Sequence, residues 1–145
     1  MRWLILKVLI ICSKKCYYKI PEIKEKLEKR GFEVFLPNCY DAPDTEEKMW
    51  ELGEKEHSKF KARMYKQSEE VISSVDAVLV LNLHKIDKNK EYPNYIGGAT
   101  FLEMYDAFRL GKKIYLYNNI PEGILYDEIQ GFSPIIINKR LDKIC

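Results

Sequence analysis

The residues best placed for chemistry in this chain are Gly97-Gly98-Ala99-Thr100-Phe101-Leu102-Glu103. Glycines carry no side chain, so a ligand can approach the backbone there, and the backbone can take dihedrals that other residues resist. A glutamate close behind such a turn is a carboxylate nucleophile in waiting, and a helix starting at this point would favour its ionised form. Thr100-x-x-Glu103 is equally the S/T-x-x-E spacing of a capping box, in which both side chains satisfy orphan donors at a helix start. The two readings make different uses of the same carboxylate.

A site around Glu103 needs further polar groups, and the sequence offers several. Cys12-Ser13 and Leu81-Asn82 close two strongly apolar runs, which puts Ser13 and Asn82 at strand exits. His84 follows the second exit, while Tyr92 and Tyr95 precede the glycine turn, where they can stack on a base or pack the loop down. Lys14 and Lys15 can attract a phosphate or remain solvated. His57, in a highly charged stretch, reads as exposed or locally paired.

The elements that must hold these residues alternate between strand and helix. Leu4 to Cys12 is nearly all aliphatic, as in a strand covered on both faces. Pro21 suits the first turn of a helix to Arg30 with Ile20, Ile23 and Leu27 on one stripe, closed by Gly31. Phe32–Leu36 is a second strand, followed by a loop of turn residues from Pro37 to Asp44. Thr45 opens a long charged helical segment to about Val75, broken near Gly53. Ala77–Leu81 is a third strand, Ala99–Leu110 a helix ended by Gly111, and Lys113–Tyr117 a fourth strand. Pro121–Gln130 reads as a short helix and Pro134–Asn138 as a last apolar run. This alternation predicts an α/β fold, one domain over residues 1–145. Its form would be a flavodoxin-like or Rossmann-like three-layer sandwich on a five-stranded, mainly parallel sheet of order 2-1-3-4-5. Ligands should then bind at the switch point, where strands one and three end.

Composition sets outer bounds. The 145 residues are 46% hydrophobic, enough for one substantial core, and 24 Lys and Arg against 22 Asp and Glu leave a net charge of +2. That balance gives no pull toward nucleic acid or an anionic membrane, and neither is expected as a partner. The opening apolar run is interrupted by Lys7, lacks a small-residue cleavage site and is shorter than the ~20 residues that span a bilayer. Cys12, Cys16, Cys39 and Cys145 form no CxxC pair and have no histidine at zinc-finger spacing. Reduced thiols in a cytoplasmic protein, with no metal and no cofactor, are the expectation.

The order Asp76-Ala-Val-Leu-Val-Leu81, glycine turn, Thr100-x-x-Glu103, then Gly111-Lys112 resembles the nucleoside 2-deoxyribosyltransferase superfamily, in particular its small members. The resemblance is best from Val75 to Asn118. It implies that Glu103 attacks the anomeric carbon of a deoxyribosyl group and that the glycosyl ester passes to another base or to water, as in retaining glycosidases. It implies that Ser13 contacts sugar or phosphate, with Gly97, Gly98 and Thr100 shaping the pocket around the ribose. It also implies a nucleoside or nucleotide as partner and assembly into a dimer or higher homo-oligomer.

The chain departs from the family pattern at Asn82-Leu83, at Ile96-Gly97-Gly98-Ala99 and at Met104-Tyr105, where aspartates and a Leu-Gly are usual. An amide hydrogen-bonds but is no general base. A non-catalytic nucleotide-binding or sensing module of the same fold is therefore the second reading, and a purely structural role the third.

Overall fold

The computed structural model describes residues 4–145. Strand β1 (Lys7–Ile11) runs into a 3-10 segment over Lys14–Lys19 and helix α1 (Ile20–Lys29), and then β2 (Glu33–Phe35). Helix α2 (Thr45–Leu52) and the long α3 (Glu54–Ser74) lead to β3 (Ala77–Val80). A hairpin of β4 (Lys85–Asp87) and β5 (Lys90–Tyr92) precedes α4 (Gly98–Arg109) and β6 (Lys113–Leu116). A short α5 (Tyr126–Gly131) and β7 (Ile135–Ile136) complete the order.

The main sheet runs β2-β1-β3-β6-β7, and all four of its pairings are parallel. With the hairpin set aside, this is the expected 2-1-3-4-5 order. The register pairs Leu9 with Val78 and Val78 with Ile114, so alternate residues stack across the three central strands. Val8, Ile10, Leu79 and Tyr115 face one side, where Ile20, Ile23 and Leu27 of α1 cover them with Ile144. Leu9, Ile11, Val78, Val80 and Leu116 face the other side, beneath Ile72 of α3, Met104 and Ala107 of α4, and Ile129 of α5. Each fully buried aliphatic side chain here contributes about 1.5–3 kcal/mol, which ties three layers together.

Glycines end the helices as their positions suggested. At Gly31 (φ 91°) the Gly31 and Phe32 amides donate to Glu28 and Leu27, and at Gly111 (φ 72°) the Gly111 and Lys112 amides donate to Phe108 and Ala107. Both are Schellman closures that require a left-handed residue. Gly53, at φ 117°, separates α2 from α3.

Three expectations are corrected. Leu4, Ile5 and Leu6 are exposed rather than part of a buried strand, because the β1 ladder begins only at Lys7, opposite Glu33; Met1, Arg2 and Trp3 of that run lie outside the described residues. The helix expected from Pro121 starts at Tyr126, after Gly123 turns at φ 126°. The polar loop after β3 contains the β4–β5 hairpin, turned by Lys88 (φ 50°) and Asn89 (φ 65°), both left-handed as a two-residue hairpin turn requires. The Tyr95 amide donates to the Leu83 carbonyl at 2.9 Å and closes this excursion at its base.

Candidate functional site

A cavity of about 370 Å³ opens at the carboxyl ends of β1 and β2. Cys12, Ser13, Lys14 and Tyr17 line it from the β1 exit, and Pro37, Asn38 and Cys39 from the β2 exit. Helix α3 adds Phe60, Lys61, Met64, Tyr65 and Ser68, and Glu46 of α2 stands at another wall. Pro43 and then Tyr95, Gly97, Gly98, Ala99, Thr100 and Glu103 complete it.

Ser13, Tyr95, Gly97, Gly98, Thr100 and Glu103 therefore come together, as does Lys14, which pairs with Glu47 at 2.7 Å. Asn82 does not join them. It is fully buried beside β6, where its amide nitrogen donates to the Asn118 and Asn119 carbonyls at 3.1 and 2.8 Å and its oxygen accepts from the Asn118 amide at 2.9 Å. Its hydrogen-bonding capacity ties the β3 exit to the β6 exit. His84 lies on a second, separate depression of about 390 Å³ with Lys19, Asn118 and Lys139, 3.5 Å from Glu91. His57 is outside the cavity, stacked on Trp50 at 3.8 Å and 3.2 Å from Glu46. Tyr92 meets Tyr95 edge-on at 5.8 Å and does not line the cavity.

Of the glycine pair only Gly97 is needed for space, and neither is needed for its dihedrals. Gly97 sits at φ −83° and ψ 172°, conformations open to any residue, and neither glycine has a positive φ. A Cβ on Gly97 would stand 3.2 Å from the Tyr95 hydroxyl, tight for a side chain, whereas one on Gly98 would meet nothing within 4 Å. Tyr95 is held from its other side by the Lys85 ammonium, 4.1 Å from the ring centre.

Helix α4 begins earlier than the Thr100-x-x-Glu103 capping box requires. Its cap is Gly97, without a side-chain cap hydrogen bond, and its first turn holds no acidic residue. Glu103 is thus more than a turn inside the helix, Thr100 is buried, and neither caps it. The amino end of α4 instead turns its uncapped backbone toward the cavity at Gly97, Gly98, Ala99 and Thr100.

The electrostatic expectation for Glu103 reverses as well. Desolvation pushes its carboxyl up to about 7, against a lowering by the hydrogen bond from Ser68 and by the Lys61 ammonium, while the Asp106 charge adds to the rise. The helix terminus is too far along the chain to hold the group ionised, and burial decides. Burial likewise raises the Cys12 thiol and the Tyr17 phenol, and the charge of Glu103 adds to both. Cys12 is therefore a neutral wall of the cavity rather than a thiolate nucleophile.

Asn38, Lys61 and Ser68 escaped the sequence reading. A signal for Ser68 existed: Phe60, Met64, Ser68 and Ile72 recur every four residues, so a serine interrupts the apolar stripe of α3, and it is only 6% exposed. Asn38 had none, being one turn residue among many. Among the described residues, no group of three or more His, Cys, Asp or Glu is arranged to hold a metal ion, and no helix is long and apolar enough to cross a membrane.

No protein-family model matches the chain, and no curated protein matches it. Among solved structures, the Clostridium botulinum CMP N-glycosidase BcmB is similar over 92% of this chain and 90% of its own, at 18% identity and a TM-score of 0.48.

Proposed function

We propose that the cavity binds a nucleoside or nucleotide and that Glu103 cleaves or transfers at its N-glycosidic bond. The observation that carries this reading is a desolvated carboxyl at one wall of a cavity whose other walls suit such a ligand. Tyr17, Tyr65, Phe60 and Tyr95 offer aromatic surface for a base, and the uncapped amino end of α4 offers backbone donors for sugar or phosphate oxygens.

In the step so assigned, an ionised Glu103 oxygen bonds to the anomeric carbon as the carbon–nitrogen bond breaks. The electron pair leaves with the base, which takes up a proton from solvent water. Water or the nitrogen of a second base then attacks the anomeric carbon from the face the first base left, giving up a proton to solvent as the carbon–carboxylate bond breaks and Glu103 is restored. A carboxyl near 7 is divided between its two forms at neutral pH, so turnover rises as pH climbs through that value.

Incubation with a panel of ribo- and deoxyribonucleosides and their 5′-monophosphates, followed by chromatography for free base, tests the assignment. Turnover by the native protein should fall at least about 1,000-fold in Glu103→Gln, which keeps the shape and removes the nucleophile. Equal turnover by the variant overturns it. One observation favours binding without chemistry: a neutral Glu103 donates a hydrogen bond, as a recognition group does. Saturable nucleotide binding with no base release and no glycosyl adduct on Glu103 decides for that module.

A further inference from the structure

Behind the α2 wall of the cavity stands an imidazole held between two aromatic rings and a carboxylate. Glu46 and Trp50 are one turn apart on α2, so both side chains reach His57 of α3 from the same helix face. The His57 ring stacks on Trp50 with centres 3.8 Å apart and planes 15° from parallel, and its centre is 6.4 Å from that of Phe60. Its Nε2 is 3.2 Å from Glu46 Oε1. A carboxylate only accepts, so Nε2 carries the hydrogen in that contact and the imidazole donates. The His57 side chain is 13% exposed and that of Glu46 39%, which puts the imidazole behind and the carboxylate in front.

Glu46 lines the cavity, whereas His57 and Trp50 do not. Among the described residues none donates to its Oε2, and Lys14, the lining cation that reaches α2, is committed to Glu47 at 2.7 Å. The α2 wall therefore presents an oriented acceptor with unused capacity, which calls for a donor from the ligand. Asn38, the amide among the lining side chains, differs in this respect. Its nitrogen already donates to Ser68 at 2.7 Å and to the Met64 carbonyl at 3.2 Å, and its oxygen accepts from Gln67 at 3.0 Å. Phe60 lines the cavity as well as flanking His57, so aromatic surface adjoins the Glu46 acceptor.

We propose that Glu46 reads the base by accepting a hydrogen bond from an exocyclic amino group, so that the cavity selects cytosine over uracil and adenine over hypoxanthine, with His57 as the residue that positions it. This inference rests on the cavity taking a nucleoside or nucleotide and not on Glu103 being the nucleophile. Within each pair of bases an amino group stands against a carbonyl oxygen at one ring position. The amino group donates to Glu46; the carbonyl sets acceptor against acceptor and leaves both unpaired. A phosphate has the opposite need, for donors, which the uncapped amino end of α4 supplies. The ligand is thereby oriented, its base toward α2 and its phosphate away from Glu46.

Calorimetric titration with cytidine against uridine and adenosine against inosine, each also as its 5′-monophosphate, tests the assignment in a Glu103→Gln background that stops turnover during the measurement. In each pair that binds, the amino member should bind about tenfold or more tightly. Glu46→Gln, whose amide pairs with either partner, should bring that ratio to within about threefold by weakening the amino ligand and tightening the oxo ligand. Helix α2 buries no residue, so this substitution spares the core. His57→Phe keeps a ring on Trp50 and removes the donor; it should cut the ratio about threefold, and His57→Gln, which returns a donor, should recover part of it. A ratio near one with Glu46 in place, or one that Glu46→Gln leaves unchanged, overturns the assignment of Glu46, and a ratio unmoved by His57→Phe overturns the positioning role. Binding of none of these ligands overturns the nucleotide reading of the cavity and this inference with it. Base release that persists after Glu103→Gln overturns the nucleophile alone, and the same ratios, then read as kcat/KM, still decide the role of Glu46.

Discussion

Desolvation and hydrogen bonding act on Glu103 in opposite directions, and the direction of the sum has a consequence for stability. Its carboxyl titrates near 7 in the folded chain against an ordinary value of 4.5. The folded state therefore holds more protons than the unfolded state between those limits, so this group's contribution to stability is complete below about 4.5 and is lost as pH rises through 7. A shift of this size corresponds to about 3 kcal/mol. Glu103→Gln, which cannot ionise, should be more stable than the native protein by about that amount at pH 8.5 and nearly equal to it at pH 4, as read by urea denaturation at both values. Parallel pH profiles for the two proteins would contradict the burial argument. Asn82 illustrates the opposite outcome for a polar residue near a strand exit: its bonds to Asn118 and Asn119 make it a clamp between β3 and β6. Its sequence neighbourhood is the same as a ligand-binding amide would have, so residue type and position could not separate the two roles.

At the level of elements, the break between α2 and α3 decides where one wall of the cavity stands. Gly53 takes φ 117° and ψ 167°, a region essentially restricted to glycine, although a Cβ there would meet no atom within 4 Å. Gly53→Ala should therefore cost about 1–3 kcal/mol through dihedral strain alone. Gly98→Ala, equally uncrowded and at an ordinary φ, should change stability by less than about 0.5 kcal/mol. Urea midpoints of the two variants check the contrast, and equal costs would refute it. The helix break, both Schellman closures and the strand cores were legible because glycine and aliphatic periodicity act locally. The start of α4 was legible to within one residue, Ala99 against Gly98, but the role of Thr100-x-x-Glu103 was not: the pair satisfies the capping pattern, yet the helix is capped three residues earlier at Gly97, where the chain leaves Ile96 buried in the core. The hairpin was missed because its strands are only three residues each and its turn uses Lys88-Asn89 in place of a glycine pair.

For the molecule as a whole, the strand order placed a site at the carboxyl edge of the sheet, and the cavity lies there, though displaced from the β1–β3 junction toward β2 and α3. That displacement depends on how α3 packs over α4 and β1, a long-range matter no local pattern encodes. The opposite face is sealed by the last residues. Arg30 donates to the main-chain oxygens of Leu141 and, at 2.8 Å, Ile144, while its guanidinium lies 5.1 Å from the Phe32 ring centre. Tyr115, itself buried, donates to the Cys145 main-chain oxygen at 3.1 Å, and Ile144 is 1% exposed. Removing residues 141–145 would bare the α1 face of the core and orphan the Tyr115 hydroxyl, so the truncated chain should lose about 3 kcal/mol or more. A loss below about 1 kcal/mol in denaturant titration would show that this seal is dispensable.

The bond from the Tyr95 amide to the Leu83 carbonyl makes the hairpin between them an interchangeable part. Its two ends meet at a fixed point on the sheet edge, so the ordering entropy of whatever lies between is largely independent of the strands and of α4. Beyond Lys85, which holds Tyr95, the length and side chains of residues 86–94 are thereby free to vary while Gly97 and Glu103 keep their places. A change in that hairpin would reshape the second depression, where His84, Pro93 and Asn94 lie, without retuning the carboxylate in the first.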